Sequence, residues 1–161
     1  MSYWENNGMS NEWYTPKYIF DALGKLEFDL DVSAPIDRRY CCVPAKRFIT
    51  ENSLSVNWDG FIWMNPPFGG RNEIDKWLKK FISHNNGIAL TPDRTSVLWW
   101  QNMANNSDAI LFIYKKVKFI RYDGSIGIAP STGTTLFALG SNAVTALMNA
   151  SKCGLGFLII K

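Results

Sequence analysis

Asn65-Pro66-Pro67-Phe68 places a polar amide at the end of an apolar run, Phe61-Ile62-Trp63-Met64, and stiffens the chain behind it. Each proline pushes the residue before it into an extended conformation, and neither has a backbone N–H. The segment therefore offers carbonyls with no donors of its own competing for them. That suits an exocyclic amine of the adenine type, a weak nucleophile because its lone pair is delocalised into the ring. Two acceptors taking its two hydrogens favour a pyramidal nitrogen and free the lone pair. The Asn65 side-chain oxygen and the Pro66 carbonyl are the candidates. The same oxygens stabilise positive charge on the nitrogen as a bond to carbon forms. Phe68 supplies a face for stacking the base, and rigidity serves the in-line geometry that attack on an electrophilic methyl requires. A base inside a duplex cannot reach such a pocket, so it has to be flipped out.

Such a segment must be held by regular elements, and the apolar patterns supply them. Thr15-Pro16 reads as the N-cap and first residue of a helix with Ile19, Phe20 and Leu23 inward, ended by Gly24. Residues 26–32 alternate apolar and acidic as a strand does, with Asp29 and Asp31 on one face. Residues 36–57 are irregular apart from a short strand near Arg47-Phe48-Ile49-Thr50, and residues 61–64 form a second buried strand. Asn72 reads as the cap of a helix whose stripe is Ile74, Trp77, Leu78, Phe81 and Ile82, broken by Asn85-Asn86-Gly87. Further strands are expected at 87–90, ended by Thr91-Pro92, at 109–113, over the basic stretch Lys115 to Arg121, at 134–140 and at 154–160. Helices are expected over about 95–105 and from a Ser141 cap, the latter with Val144, Leu147 and Met148 inward.

Buried strands separated by helices imply a three-layer α/β fold: a mostly parallel sheet covered on both faces, with an antiparallel edge. One domain over residues 13–161 would follow a flexible stretch, 1–12. Ligands of open α/β sheets sit beyond the carboxyl ends of the strands, and Asn65 belongs to that rim.

Composition narrows the partners. With 47% hydrophobic and 19% charged residues among 161, the chain is globular rather than disordered. No apolar run approaches the ~20 residues of a membrane span, and no basic region followed by an apolar stretch opens the chain. The expectation is a protein of the cytoplasm, or of the host cytoplasm if viral, with no membrane partner. Cys41, Cys42, Cys153 and the lone His84 lack metal-ligand spacing, so no metal is expected. A net charge of +3 permits a nucleic-acid partner without demanding one. The seven tryptophans either build an aromatic core or include rings that stack on a base or adenosyl group.

Asn-Pro-Pro-Phe after a hydrophobic strand resembles the catalytic motif of S-adenosylmethionine-dependent amino-group methyltransferases; related motifs also serve RNA and protein-glutamine methylation. The ordered series W-Y-T-P (13–16), F-D-L-D-V-S-A (28–34), W-D (58–59), N-P-P-F, L-T-P-D-R-T (90–95) and K-V-K-F (116–119) is similar to the phage-type DNA N6-adenine methyltransferases, the phage Dam-like family. The similarity covers about residues 13 to 140. It implies a Rossmann-like methyltransferase fold, S-adenosylmethionine as cofactor and double-stranded DNA as partner. It also implies that Asn65, Pro66, Pro67 and Phe68 hold the target adenine, that the cofactor lies near Trp13, Thr15, Pro16, Asp31 and Ala34, and that Phe119 stands against the flipped base.

The residues leave other readings open. Thr15-Pro16 can be a helix cap alone, Asp31 a solvated strand end and Phe119 a core residue. Lys116 and Lys118, with Lys115 and Arg121, are either a phosphate-contacting stripe or a solvated edge, and Arg94 either meets phosphate or caps a helix. The chain also departs from the wider methyltransferase pattern. Ser33-Ala34-Pro35 stands where a Gly-x-Gly loop is usual, and only Asp37 and Glu51 are candidates for a ribose-binding acid. A DNA-binding relative that kept the fold and lost transfer is a further reading.

Overall fold

Two apolar periods alternate along the chain, and each becomes an element. In chain order these are α1 (Lys17–Leu23), β1 (Phe28–Asp31), β2 (Ala45–Phe48), β3 (Ile62–Met64), α2 (Glu73–His84), β4 (Gly87–Pro92), α3 (Leu98–Asn106), β5 (Ala109–Ile113), β6 (Thr134–Leu139), α4 (Ser141–Lys152) and β7 (Gly156–Ile160). The computed structural model describes residues 13–68 and 73–161. The stretch 1–12 and the expected cap Asn72 lie outside the described residues.

The strands form one sheet in the order β2-β1-β3-β4-β6-β5-β7. β1 runs parallel to β2 and β3, and β3 to β4. The pairings β4 with β6, β6 with β5, and β5 with β7 are antiparallel. The sheet is therefore mixed, and its antiparallel ladders are the longer ones: β4 matches β6 from Gly87–Leu139 to Pro92–Thr134, whereas β1 meets β3 only at Leu30–Ile62 and Asp31–Trp63. This corrects the expectation of a mostly parallel sheet with an antiparallel edge. β4 and β6 are buried along their whole length, so neither shows the one-sided alternation that marks an antiparallel strand.

Helices cover both faces. α1 and α4 bury Ile19, Phe20, Leu23, Ala143 and Leu147 against Trp63, Leu90, Leu111 and Leu136. On the other face, α2 and α3 bury Ile74, Leu78, Phe81, Trp100 and Met103 against Ile62, Met64, Ala89 and Phe137. Most tryptophans serve this core: Trp58, Trp63, Trp99 and Trp100 are all buried.

Several expected boundaries move. Thr15 is not the cap of α1: the helix starts after Pro16 and has no side-chain cap bond, while Gly24, at φ 100°, ends it as expected. Ser141 is the first residue of α4 rather than its cap, and Met148 is exposed, the inward places going to Ala146 and Ala150. β4 continues through Thr91 and Pro92. The basic stretch 115–121 is not a strand. Lys115 takes a left-handed conformation at φ 64°, which turns the chain out of the sheet directly after β5. The strand-like alternation there reflects Val117 and Phe119 dipping into the core while Lys116 and Lys118 stay outside.

Candidate active site

β2 lies on one side of β1 and β3 on the other, so the strand order reverses between β1 and β3. Crevices at the carboxyl ends of such a pair are where α/β sheets bind ligands. Asp31 is the last residue of β1, and Asn65 follows the last residue of β3. A cleft opens there and holds about 290 Å³, counting its solvent-open mouth. Its walls come from Trp13, Tyr14 and Thr15 ahead of α1, from Asp31, Ser33 and Pro35 after β1, from Trp63 and Asn65, and from Cys41, Cys42 and Val43.

Asn65 is held at two points. Its backbone N–H donates to Ser33 Oγ at 2.7 Å. Its side-chain Nδ2 donates to Thr15 Oγ1 at 3.1 Å. The Oδ1 atom meets no donor among the described residues, and the residue lines the cleft. The carboxamide thus spends its donor end on the protein and keeps its acceptor end. Behind it, Pro66 is buried, Pro67 exposed and Phe68 half-buried between the two core clusters.

Ser33 links Asn65 to Asp31. The Ser33 N–H donates to Asp31 Oδ1 at 3.0 Å, closing a turn two residues long, and Ser33 Oγ–H lies 3.4 Å from the same oxygen. Asp31 is only 2% exposed. Burial pushes its carboxyl up from 3.8 to about 7, against the lowering effect of the Ser33 donors. Both Ser33 contacts fall on Oδ1, and Oδ2 meets no donor among the described residues. Asp29, on the same strand, has a different fate. It accepts from Phe61 N–H at 2.8 Å and from Lys46 at 3.0 Å, and these bonds hold its carboxyl below the usual range.

The wall ahead of α1 is anchored to the segment that follows β5 and to the loop after β1. Tyr14 and Ile120 exchange backbone hydrogen bonds at 2.9 Å each, and Tyr14 Oη donates to the Asp37 carbonyl at 2.7 Å. The Arg121 guanidinium lies 6.0 Å above the half-buried Trp13 ring.

Of the residues expected near the cofactor, Trp13, Thr15 and Asp31 line the cleft, while Pro16 and Ala34 are buried beside it. Phe119 is 3% exposed, in the core on the α1 and α4 side of the sheet. Lys116, Lys118 and Arg94 are exposed. The segments carrying them leave the carboxyl ends of β5 and β4, the rim that also carries Asn65. Arg94 caps no helix with its side chain; its carbonyl accepts from Val97 N–H in the turn before α3. Asp37 is committed to Arg39 at 2.6 Å, and Glu51 is exposed outside the cleft. His84 Nε2 meets the Gly60 carbonyl at 2.8 Å, a structural contact. No group of three His, Cys, Asp or Glu fit to hold a metal occurs among the described residues, and no helix among them is long and apolar enough to cross a membrane.

Sequence reasoning missed Ser33, Tyr14 and the pair Cys41-Cys42. Ser33 carried a signal, since an acid followed two residues later by an N–H donor is the pattern of a side-chain-closed turn. The cysteines lie in an aperiodic stretch that carried none.

The family model described as DNA N-6-adenine-methyltransferase (Dam) matches residues 5–136. A DNA N-6-adenine-methyltransferase of Escherichia phage T1 is 28% identical over 109 residues, covering 63% of this chain and 44% of the relative. The matched stretch spans less than half of that relative's length. No solved structure is a significant match. The cleft, with Asn65 in its wall, and the family match over most of the chain lead to one assignment: the chain belongs to the DNA N-6-adenine-methyltransferase (Dam) family.

Proposed function

We propose that residues 13–161 act as one Rossmann-like methyltransferase domain that moves the methyl of S-adenosylmethionine to the exocyclic nitrogen of an adenine flipped out of double-stranded DNA. The observation that carries this reading is the state of Asn65: its amide nitrogen is engaged by Thr15 and its oxygen is left to the cleft.

The cleft residues fit the cofactor. Trp13 offers a half-buried ring for a purine, and Asp31 offers a carboxylate oxygen that no described residue engages. S-adenosylmethionine, when bound, supplies an electrophilic methyl on sulfur. The protein's own work is on the acceptor. Asn65 Oδ1 and the Pro66 carbonyl take the two amine hydrogens, drawing the nitrogen out of conjugation. As the nitrogen–carbon bond forms and the sulfur–carbon bond breaks, the nitrogen becomes positive, and the two oxygens stabilise that charge before a proton leaves to solvent. The Asp31–Ser33–Asn65 chain of hydrogen bonds fixes the Asn65 backbone while this happens. Phe68 and the extended prolines limit how far the base can tilt. Lys116, Lys118 and Arg94, on the same rim, meet the phosphates flanking the flipped nucleotide.

The test is a substrate panel. With tritiated S-adenosylmethionine, label is expected in duplex DNA. Label confined to RNA, or to a glutamine-containing protein, would move the activity to another acceptor. Binding of DNA with no binding of the cofactor would make the chain an inactive relative.

A further inference from the structure

Thr15 stands where the sequence suggests a helix cap or a cofactor contact, and it does not cap α1. We propose, on the functional reading above, that Thr15 is a positioning residue: its hydroxyl holds the Asn65 carboxamide by the nitrogen end and so presents the oxygen to the acceptor amine. Thr15 is 3% exposed, and its Oγ1 accepts from Asn65 Nδ2 at 3.1 Å across fifty residues of chain. Its own place is fixed on both sides. Tyr14 is pinned to Ile120 through two backbone bonds and to the Asp37 carbonyl through its phenol, and Pro16 is buried behind it.

The need for such a residue is chemical. A carboxamide has two ends of nearly equal size, one accepting and one donating. Turned over, Asn65 would point two N–H donors at an amine that brings only hydrogens, and methyl transfer would lose an acceptor. The backbone anchor at Ser33 does not prevent this, because it fixes the main chain and leaves the side-chain torsion free. Thr15 is the described residue that holds the amide itself. In the structure that hydroxyl accepts from the amide nitrogen, the state that leaves the amide oxygen to the cleft.

The experiment compares Thr15→Val, which removes the hydroxyl at nearly constant volume, with Thr15→Ser, which keeps it. Methyl transfer to duplex DNA by Thr15→Val should show kcat at least tenfold below the parent, with KM for S-adenosylmethionine changed less than twofold. Thr15→Ser should return kcat to within threefold. A second arm repeats Thr15→Val in an Asn65→Asp background. A carboxylate has two like oxygens and no end to choose, so there the loss should shrink below threefold. A kcat for Thr15→Val within twofold of the parent overturns the proposal, as does a loss confined to KM for the cofactor or an undiminished loss in the Asn65→Asp background. A third arm does not depend on activity. The side-chain amide ¹⁵N–¹H signals of Asn65, assigned by their loss in Asn65→Asp, should be slow to exchange in the parent and in Thr15→Ser, and faster in Thr15→Val. Unchanged signals there overturn the proposal even if the parent transfers no methyl, a result that would by itself defeat only the functional reading.

Discussion

The backbone N–H of Asn65 donates to Ser33 Oγ at 2.7 Å, joining two residues that follow neighbouring strands β1 and β3 but lie 32 positions apart in the chain. The same serine donates its own N–H to Asp31 at 3.0 Å. A buried acid, a turn residue and the backbone that carries the candidate catalytic amide are therefore tied together by hydrogen bonds.

Ser33→Ala tests that unit. The substitution removes the acceptor of the Asn65 N–H and leaves it to find water at the cleft edge. An unsatisfied, partly buried donor costs about 1–3 kcal/mol. Chemical denaturation should show a loss in that range, and kcat should fall more than KM for the cofactor. A variant as stable and active as the parent would show that the serine link is incidental.

Asp31 predicts a pH dependence with a definite sign. Its folded carboxyl is raised from 3.8 to about 7, so the folded state favours the protonated form. The stability this contributes is complete below about 3.8 and is lost as pH rises towards 7. Asn at this position keeps an acceptor for Ser33 and has no charge to bury. The melting temperature of Asp31→Asn minus that of the parent should therefore grow from pH 5 to pH 8 in the absence of cofactor. A difference that is flat or shrinks with pH would mean that Asp31 is not a strained carboxyl.

Asn65→Ala should separate chemistry from binding. Loss of a preorganised hydrogen-bonding group at developing charge typically costs about 10²–10³ in kcat. Calorimetric affinity for S-adenosylmethionine should stay within a few fold, because the role proposed for Asn65 is on the acceptor. Parental kcat in this variant would remove Asn65 from the mechanism.

Lys116→Gln with Lys118→Gln probes the exposed basic rim. If each lysine meets one phosphate, the slope of log affinity against log salt should become shallower by roughly 0.9 per contact, with little dependence on DNA sequence. Fluorescence anisotropy over a salt series measures this. An unchanged slope would make the two lysines a solvated surface.

The sequence was most informative where one physical constraint acted alone. An apolar run ending at Asn65 before two prolines can hardly be anything but a strand end on the rim, and the structure puts it there. The stripe of α2 and the buried strands read correctly for the same reason. The basic stretch 115–121 misled because two inward apolar residues at period two imitate a strand, while the left-handed Lys115 that follows β5 carries no sequence signature. The sequence points to an antiparallel edge but not to antiparallel pairing as far in as β4, because β4 and β6 are buried along their whole length. The local sequence of Thr15 suits a cap or a cofactor contact; its hydrogen-bond partner is fifty residues away, a relation that no local pattern encodes.

The central claim is that the Asn65 oxygen activates an adenine amine, and the methylated product tests it most directly. Duplex DNA incubated with the protein and S-adenosylmethionine, digested to nucleosides and resolved by mass spectrometry, should yield N6-methyldeoxyadenosine, formed about 10²–10³ times more slowly by the Asn65→Ala variant. N4-methyldeoxycytidine as the sole product, or N6-methyldeoxyadenosine at equal yield from both proteins, would contradict the account.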